Sequence, residues 1–169
     1  EINEWKIGTE HEKFIFSLEN FHPVPYKGKN GIESLLNSLK ENSGWKPINE
    51  NSNIIGLIAE NQSSISLEPG GQLELSGAPL ENLHMTCDET GNHLNQLRKA
   101  LKKLNLGMAG FGFHPLSSRD DFQFMPKGRY KIMKKWMPKV GDMGLDMMLR
   151  TCTIQVNLDY SDEIDMVRK

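Results

Sequence analysis

The sequence predicts an α+β fold built on a largely antiparallel sheet. Three observations carry that expectation. Strand-like and helix-like segments are mixed without the regular βαβ alternation of a parallel sheet. Ser63–Glu68 and Gln72–Ser76 alternate in polarity around Pro69-Gly70-Gly71, which is a hairpin signal. Gly31–Lys40 and Glu81–Leu104 carry apolar residues at helical spacing. The chain has 169 residues. That suits one domain of about 100–200 residues, long enough to bury a core without disulfide or metal staples.

Element by element, Trp5–Phe16 reads as one long strand or a strand pair, with Gly8, Glu10 and Glu12 alternating against Ile7, Thr9 and His11. Pro23, Pro25 and Gly28 punctuate the loop after it. Ile32, Leu35, Leu36 and Leu39 give the first helix its apolar stripe. Ile54–Ala59 is a short apolar strand, followed by the hairpin. The long helix places Leu83, Cys87, Leu94, Leu97, Leu101 and Leu104 on one stripe, with Gly91 as its weak point. Gly107–His114 reads as a buried strand with Met108, Phe111 and Phe113 set among glycines. Gly128–Met137 is helical and Pro138 is expected to stop it, with Lys131, Lys134, Lys135 and Lys139 on a solvated face. Met147–Leu149 ends a further short helix. In the strand Thr151–Leu158, Thr153, Gln155 and Asn157 share one face, and Cys152, Ile154, Val156 and Leu158 the other. Asp162–Lys169 looks like the first turns of a helix. With no Met at Glu1, residues 1–169 are expected to be a piece of a longer polypeptide.

Composition narrows the function classes. Charged residues make up 25% and hydrophobic ones 37%, which fits a folded domain rather than a disordered tail. Twenty Lys+Arg against 22 Asp+Glu argue against nucleic acid as a partner, which would call for a basic face. No apolar run approaches the roughly 20 residues that span a bilayer, so no membrane role is expected. Cys87 and Cys152 are too few for a disulfide framework and are read as idle thiols of a reducing cytoplasm.

The chemistry-bearing feature is polar residues paired at i, i+2 inside strands. Glu10 and Glu12 share one strand face, as do Gln72 and Glu74, and Gln155 and Asn157. Glu68 stands at the mouth of the Pro-Gly-Gly turn. Should these faces converge, several carboxylates and amides meet in one cavity. Packed carboxylates repel unless a cation sits between them, and an all-oxygen set suits Mg²⁺, which usually accompanies phosphates. The plain alternative is a wet face of an antiparallel sheet. Lys127, Arg129 and Arg150 are candidate anion ligands, or else surface cations. His11 points away from the two glutamates and reads as a packing residue. No phosphate-binding glycine loop and no nucleophile elbow is visible.

Four stretches carry a resemblance: Gly8-Thr-Glu-His-Glu-Lys-Phe, Ile65–Pro79, Met125–Tyr130 and Leu145–Asp159. Together they resemble the glutamate–cysteine ligase family, in the branch shared by plants and alphaproteobacteria. The resemblance implies a curved, mostly antiparallel sheet with outer helices, similar to the catalytic domain of glutamine synthetase. Residues 1–169 would be the N-terminal part of a single catalytic ligase domain, truncated at both ends. It implies ATP- and Mg²⁺-dependent joining of the L-glutamate γ-carboxylate to the L-cysteine amine through a γ-glutamyl phosphate, the first step of glutathione synthesis. Glu10, Glu12, Glu68 and Glu74 would be the metal-binding carboxylates. Gln155, Asn157 and Lys127 would face the nucleotide, and Arg129 and Arg150 the substrate or phosphate. The alternatives left open are a ligase of the same superfamily with another amine acceptor, and a catalytically incomplete metal- or nucleotide-binding fragment.

Overall fold

The computed structural model describes residues 4–169. Among them the strands are β1 (Ile7–Ser17), β2 (Lys46–Glu50), β3 (Asn53–Ile58), β4 (Ser64–Leu67), β5 (Leu73–Ser76), β6 (Leu106–Ala109) and β7 (Ile154–Leu158). The helices are α1 (Ile32–Ser43), α2 (Leu83–Lys103), α3 (Gly128–Val140), α4 (Gly144–Arg150) and α5 (Glu163–Arg168). The strands form one sheet in the order β2-β3-β4-β5-β1-β6, with β7 also paired to β1. Every pairing is antiparallel, as the sequence predicts.

The long β1 organises the molecule. Its alternation sends odd-numbered side chains to one side and even-numbered ones to the other. On the odd side Ile15 joins Ile65, Leu67, Leu73 and Leu75 of the hairpin and Leu35, Leu36, Leu39, Leu97 and Leu101 of α1 and α2 in the main core. Each fully buried Leu or Ile of this set contributes on the order of 1.5–3 kcal/mol. On the even side Phe14 joins Phe122, Met148, Leu149 and Cys152 in a second, smaller cluster. That cluster closes one end of the even face and leaves Gly8, Glu10 and Glu12 as its polar part. The hairpin turn needs its glycines. Gly71 sits at φ +87°, and a side chain on Gly70 would meet the Leu149 carbonyl oxygen at 2.7 Å.

Four expectations are corrected. β2 has no counterpart in the sequence reading, because Pro47 and its polar neighbours hide an exposed strand of the kind where Pro is tolerated. Pro138 does not end α3. It falls in the last turn, and the helix closes instead at Gly141, whose N–H reaches the Met137 carbonyl at 3.2 Å. The strand expected over Gly107–His114 stops at Ala109, and Phe111 and Phe113 beyond it are exposed. The buried stripe of α2 is Thr86, His93, Leu97, Ala100 and Leu101, while Leu83 and Cys87 face solvent. Among the described residues, no helix is long and apolar enough to cross a membrane.

Candidate active site

Sheet register gathers the glutamates. Glu12 of β1 lies directly opposite Glu74 of β5, and Glu10 lies opposite Ser76 on that side and Gln155 of β7 on the other. Directly opposed residues of an antiparallel pair project to the same face. Glu10, Glu12, Glu74 and Gln155 therefore share one surface, with Asn157 opposite Gly8 at its margin. The glutamates are half-buried, whereas Gln155 and Asn157 on β7 are exposed.

Neighbouring side chains orient these carboxylates. Asn157 Nδ2 donates to Glu10 Oε1 at 3.0 Å. The Thr153 backbone N–H donates to Glu12 Oε2 at 2.9 Å, and its hydroxyl lies 3.1 Å from Oε1. Gln155 Nε2 donates to the same hydroxyl at 3.0 Å. The Ser76 hydroxyl donates to Glu74 Oε1. Burial pushes the Glu12 carboxyl above its usual value, and the nearby Glu74 and Glu10 add to that, against the stabilising Thr153 contacts.

Glu68, at the turn, belongs to the same group. Burial first, then the charges of Glu74 and Glu12, push its carboxyl up to about 7, while Lys127 and Arg129 pull it back. Arg129 Nη2 stands 3.6 Å from Glu68 Oε1. Tyr130 positions that arginine. Its hydroxyl donates to the Leu67 carbonyl at 2.5 Å and receives Arg129 Nη2 at 3.1 Å, and the guanidinium lies 5.0 Å from its ring centroid. Lys127 is buried beside the same ring, 5.5 Å from its centroid, and desolvation lowers its pKa.

A pH prediction follows from Glu68. In the unfolded chain a glutamate titrates near about 4.3. Between that value and about 7 the folded chain holds a proton that the unfolded one has lost. Stability then falls as pH rises through this window. Glu68→Gln is expected to flatten the decline, giving a melting temperature a few degrees above wild type at pH 8 and closer to it at pH 5. Parallel thermal-melt curves for the two proteins across that range would refute the coupling.

Arg150 is not brought to this face by its contacts. Its Nη1 pairs with Asp146 at 2.9 Å and its guanidinium lies 4.4 Å from the Phe113 ring centroid. His11 is on the opposite, helix-covered side, with Nε2 3.4 Å from the Thr90 hydroxyl. Two contributors escaped the sequence reading. Thr153 clamps Glu12, a role its shared parity with Gln155 could have suggested. Tyr130 anchors Arg129, for which no sequence signal exists. Gln72 shares the face of Glu74 but is buried as a brace. Its Oε1 accepts the Gly70 N–H at 2.9 Å, and its Nε2 donates to the Met148 and Thr151 carbonyls at 3.2 and 2.9 Å.

As a metal-binding surface the donor set fits a hard dication in chemistry. It is all carboxylate and amide oxygen, and Glu12 and Glu68 are pushed up by burial and then by neighbouring carboxylates, the repulsion that a dication relieves. Among the described residues, no three His, Cys, Asp or Glu side chains stand in position to hold a metal ion together. The carboxylates would have to turn from their present amide and hydroxyl partners.

Comparison with known proteins identifies the family. The family model described as glutamate-cysteine ligase family 2 matches residues 6–169. The chain is 55% identical over 167 residues to a protein of Medicago truncatula named "Glutamate--cysteine ligase, chloroplastic", covering 99% of this chain and 32% of that protein. Proteins of the same name in Brassica juncea and Arabidopsis thaliana are 54% and 53% identical, covering 98% and 99% of this chain and 32% and 31% of theirs. The chain thus spans about a third of the length of the curated relatives it matches. The cytoplasmic location expected from the sequence is overturned by these relatives, whose names place them in the chloroplast. Two free cysteines carry no information about which reducing compartment holds a protein.

Proposed function

The chain belongs to glutamate-cysteine ligase family 2, and from that premise we propose that the protein joins the γ-carboxylate of L-glutamate to the amine of L-cysteine, using ATP and Mg²⁺, in glutathione synthesis. The observation that carries the reading is the register that sets Glu12 against Glu74 and Glu10 against Gln155, with Glu68, Lys127 and Arg129 alongside. In this reading the sheet is one wall of a funnel like that of the glutamine synthetase catalytic domain, and residues 1–169 are the N-terminal part of one catalytic domain. By likeness to the named relatives, it works in the plastid.

The chemistry asks for such a surface. A carboxylate is a poor acyl donor because oxide would have to leave. Attack of the γ-carboxylate oxygen on the terminal phosphorus of ATP gives γ-glutamyl phosphate and ADP. The cysteine amine then attacks the acyl carbon, and phosphate departs. Phosphoryl transfer chiefly needs alignment and charge neutralisation. Mg²⁺ held by Glu10, Glu12, Glu68 and Glu74 would neutralise charge on the phosphate oxygens. Asn157 and Thr153 keep Glu10 and Glu12 oriented toward the shared face. Lys127 and Arg129, beside Glu68, offer cationic donors to a phosphate or substrate carboxylate. Gln155 and Asn157 present amides on the nucleotide side. Arg150, paired with Asp146, is given no substrate contact in this reading.

The test is a coupled phosphate-release assay on a protein that carries this chain at the length of its relatives, with ATP, Mg²⁺ and glutamate. Release that requires cysteine, with γ-glutamylcysteine as product, is the expected result. Release driven equally well by other small amines would reassign the acceptor. No amine-dependent release would remove the ligase reading.

A further inference from the structure

We propose a second ligand site, for a linear di- or polyamine, in the cleft between α2 and the β3–β4 turn on the helix-covered side of the sheet. The cleft measures about 750 Å³. Glu60, Asp88 and Glu89 bring carboxylates to its lining, Trp45 supplies an aromatic wall, and no Lys or Arg lines it among the described residues.

An acidic rim alone would mean little, but the floor carries polar atoms with nothing to bind. His93 lines the cleft, is only 3% exposed, and has no hydrogen-bond partner at either ring nitrogen. Glu89 is one turn earlier on α2. Its Oε1 accepts the Ala78 N–H at 2.9 Å, while its Oε2 is buried without a partner. Gly77 makes room for that free oxygen, since a side chain there would begin 2.3 Å from it. Buried polar atoms are almost always satisfied, so such a set marks a place where donors belong.

Charge selects the ligand. Burial pushes the His93 imidazole down to about 3, so it stays neutral and keeps one acceptor nitrogen. An ammonium group brings three N–H donors and no acceptor, which suits Glu89 Oε2 and that nitrogen. A second ammonium along a short alkyl chain would reach the rim carboxylates, with the chain against Trp45. An amino acid is disfavoured, because its carboxylate would meet three others. Opposing charges are few. Lys46 pairs with Glu60 at 3.5 Å, and Lys13 and His11 act on His93 without lining the cleft.

Calorimetric titration of spermidine into the protein at physiological salt tests the site. Saturable binding of one spermidine per chain is expected in wild type. Glu89→Gln should weaken it at least tenfold, because glutamine keeps the acceptor for the Ala78 N–H and removes only the charge. Should that variant melt early, Asp88→Asn on the exposed helix surface is expected to weaken binding several-fold with the fold intact. Glu10→Gln should leave binding unchanged. Absence of saturable binding, or affinity indifferent to both cleft variants, would overturn the site. Loss in Glu10→Gln alone would place the amine on the carboxylate face and equally refute it. None of these outcomes depends on ligase activity, so this site and the ligase reading can fail separately.

Discussion

Glu10→Gln is expected to lower γ-glutamylcysteine formation by about 10²–10³-fold, the scale of losing one electrostatic stabiliser of a phosphoryl-transfer transition state. The substitution changes charge and almost nothing else. Glutamine has the same length, and its Oε1 can still accept the Asn157 amide that now reaches Glu10 at 3.0 Å. It also removes a negative charge from beside Glu12, whose carboxyl is already raised by burial and, after it, by its neighbours. Melting temperature should therefore hold or rise slightly while turnover collapses and the Mg²⁺ requirement shifts to higher concentration. Steady-state assays across a Mg²⁺ series, run beside a thermal melt, read both effects. Wild-type turnover in the variant would remove Glu10 from the metal-binding set.

The second large effect is on stability. Gln72→Leu is expected to cost about 3–5 kcal/mol, because three backbone groups lose their partner and each buried unsatisfied group costs about 1–3 kcal/mol. Those groups are the Gly70 N–H and the Met148 and Thr151 carbonyls. Leucine nearly matches glutamine in volume, so packing is not the cause. A loss of that size lowers the melting temperature by on the order of 10 °C in a domain of this length. Activity should fall too, since the brace ties the hairpin turn to the chain just before Thr153, the residue that clamps Glu12. A denaturation midpoint equal to wild type would show that the brace contributes nothing.

Strand alternation and turn chemistry made the central sheet legible. The Pro69-Gly70-Gly71 hairpin and the period-two patterns of β1 and β7 follow from local rules, and they place Glu10, Glu12, Glu74, Gln155 and Asn157 by parity alone. Register, which decides that Glu12 faces Glu74 and not a neighbour of it, is a tertiary outcome that parity does not contain. Lys127 and Arg129 could be suspected only as cations, because their approach to Glu68 depends on the docking of α3 through Tyr130. Arg150 lay close in sequence to the β7 amides, yet Asp146 on its own helix holds it. β2 was invisible because Lys46-Pro-Ile-Asn-Glu50 has no apolar alternation to read. His93 shows the reverse problem: a polar residue sits where a helix stripe predicts leucine, and only burial reveals it.

The alternation of β1 also governs how this protein can diverge. Glu10 and Glu12 serve one side, and His11, Lys13 and Ile15 the other, within a single uninterrupted strand. An inserted or deleted residue between Gly8 and Phe14 would exchange the two sets at a stroke, driving carboxylates into the leucine core and exposing the core's own side chains. Substitutions there can be sampled one at a time, but changes in length cannot. The exposed stretch Lys27–Asn30 carries no such parity constraint and can lengthen cheaply. Lineages carrying this domain should differ in loop length around a first strand whose residue count never changes.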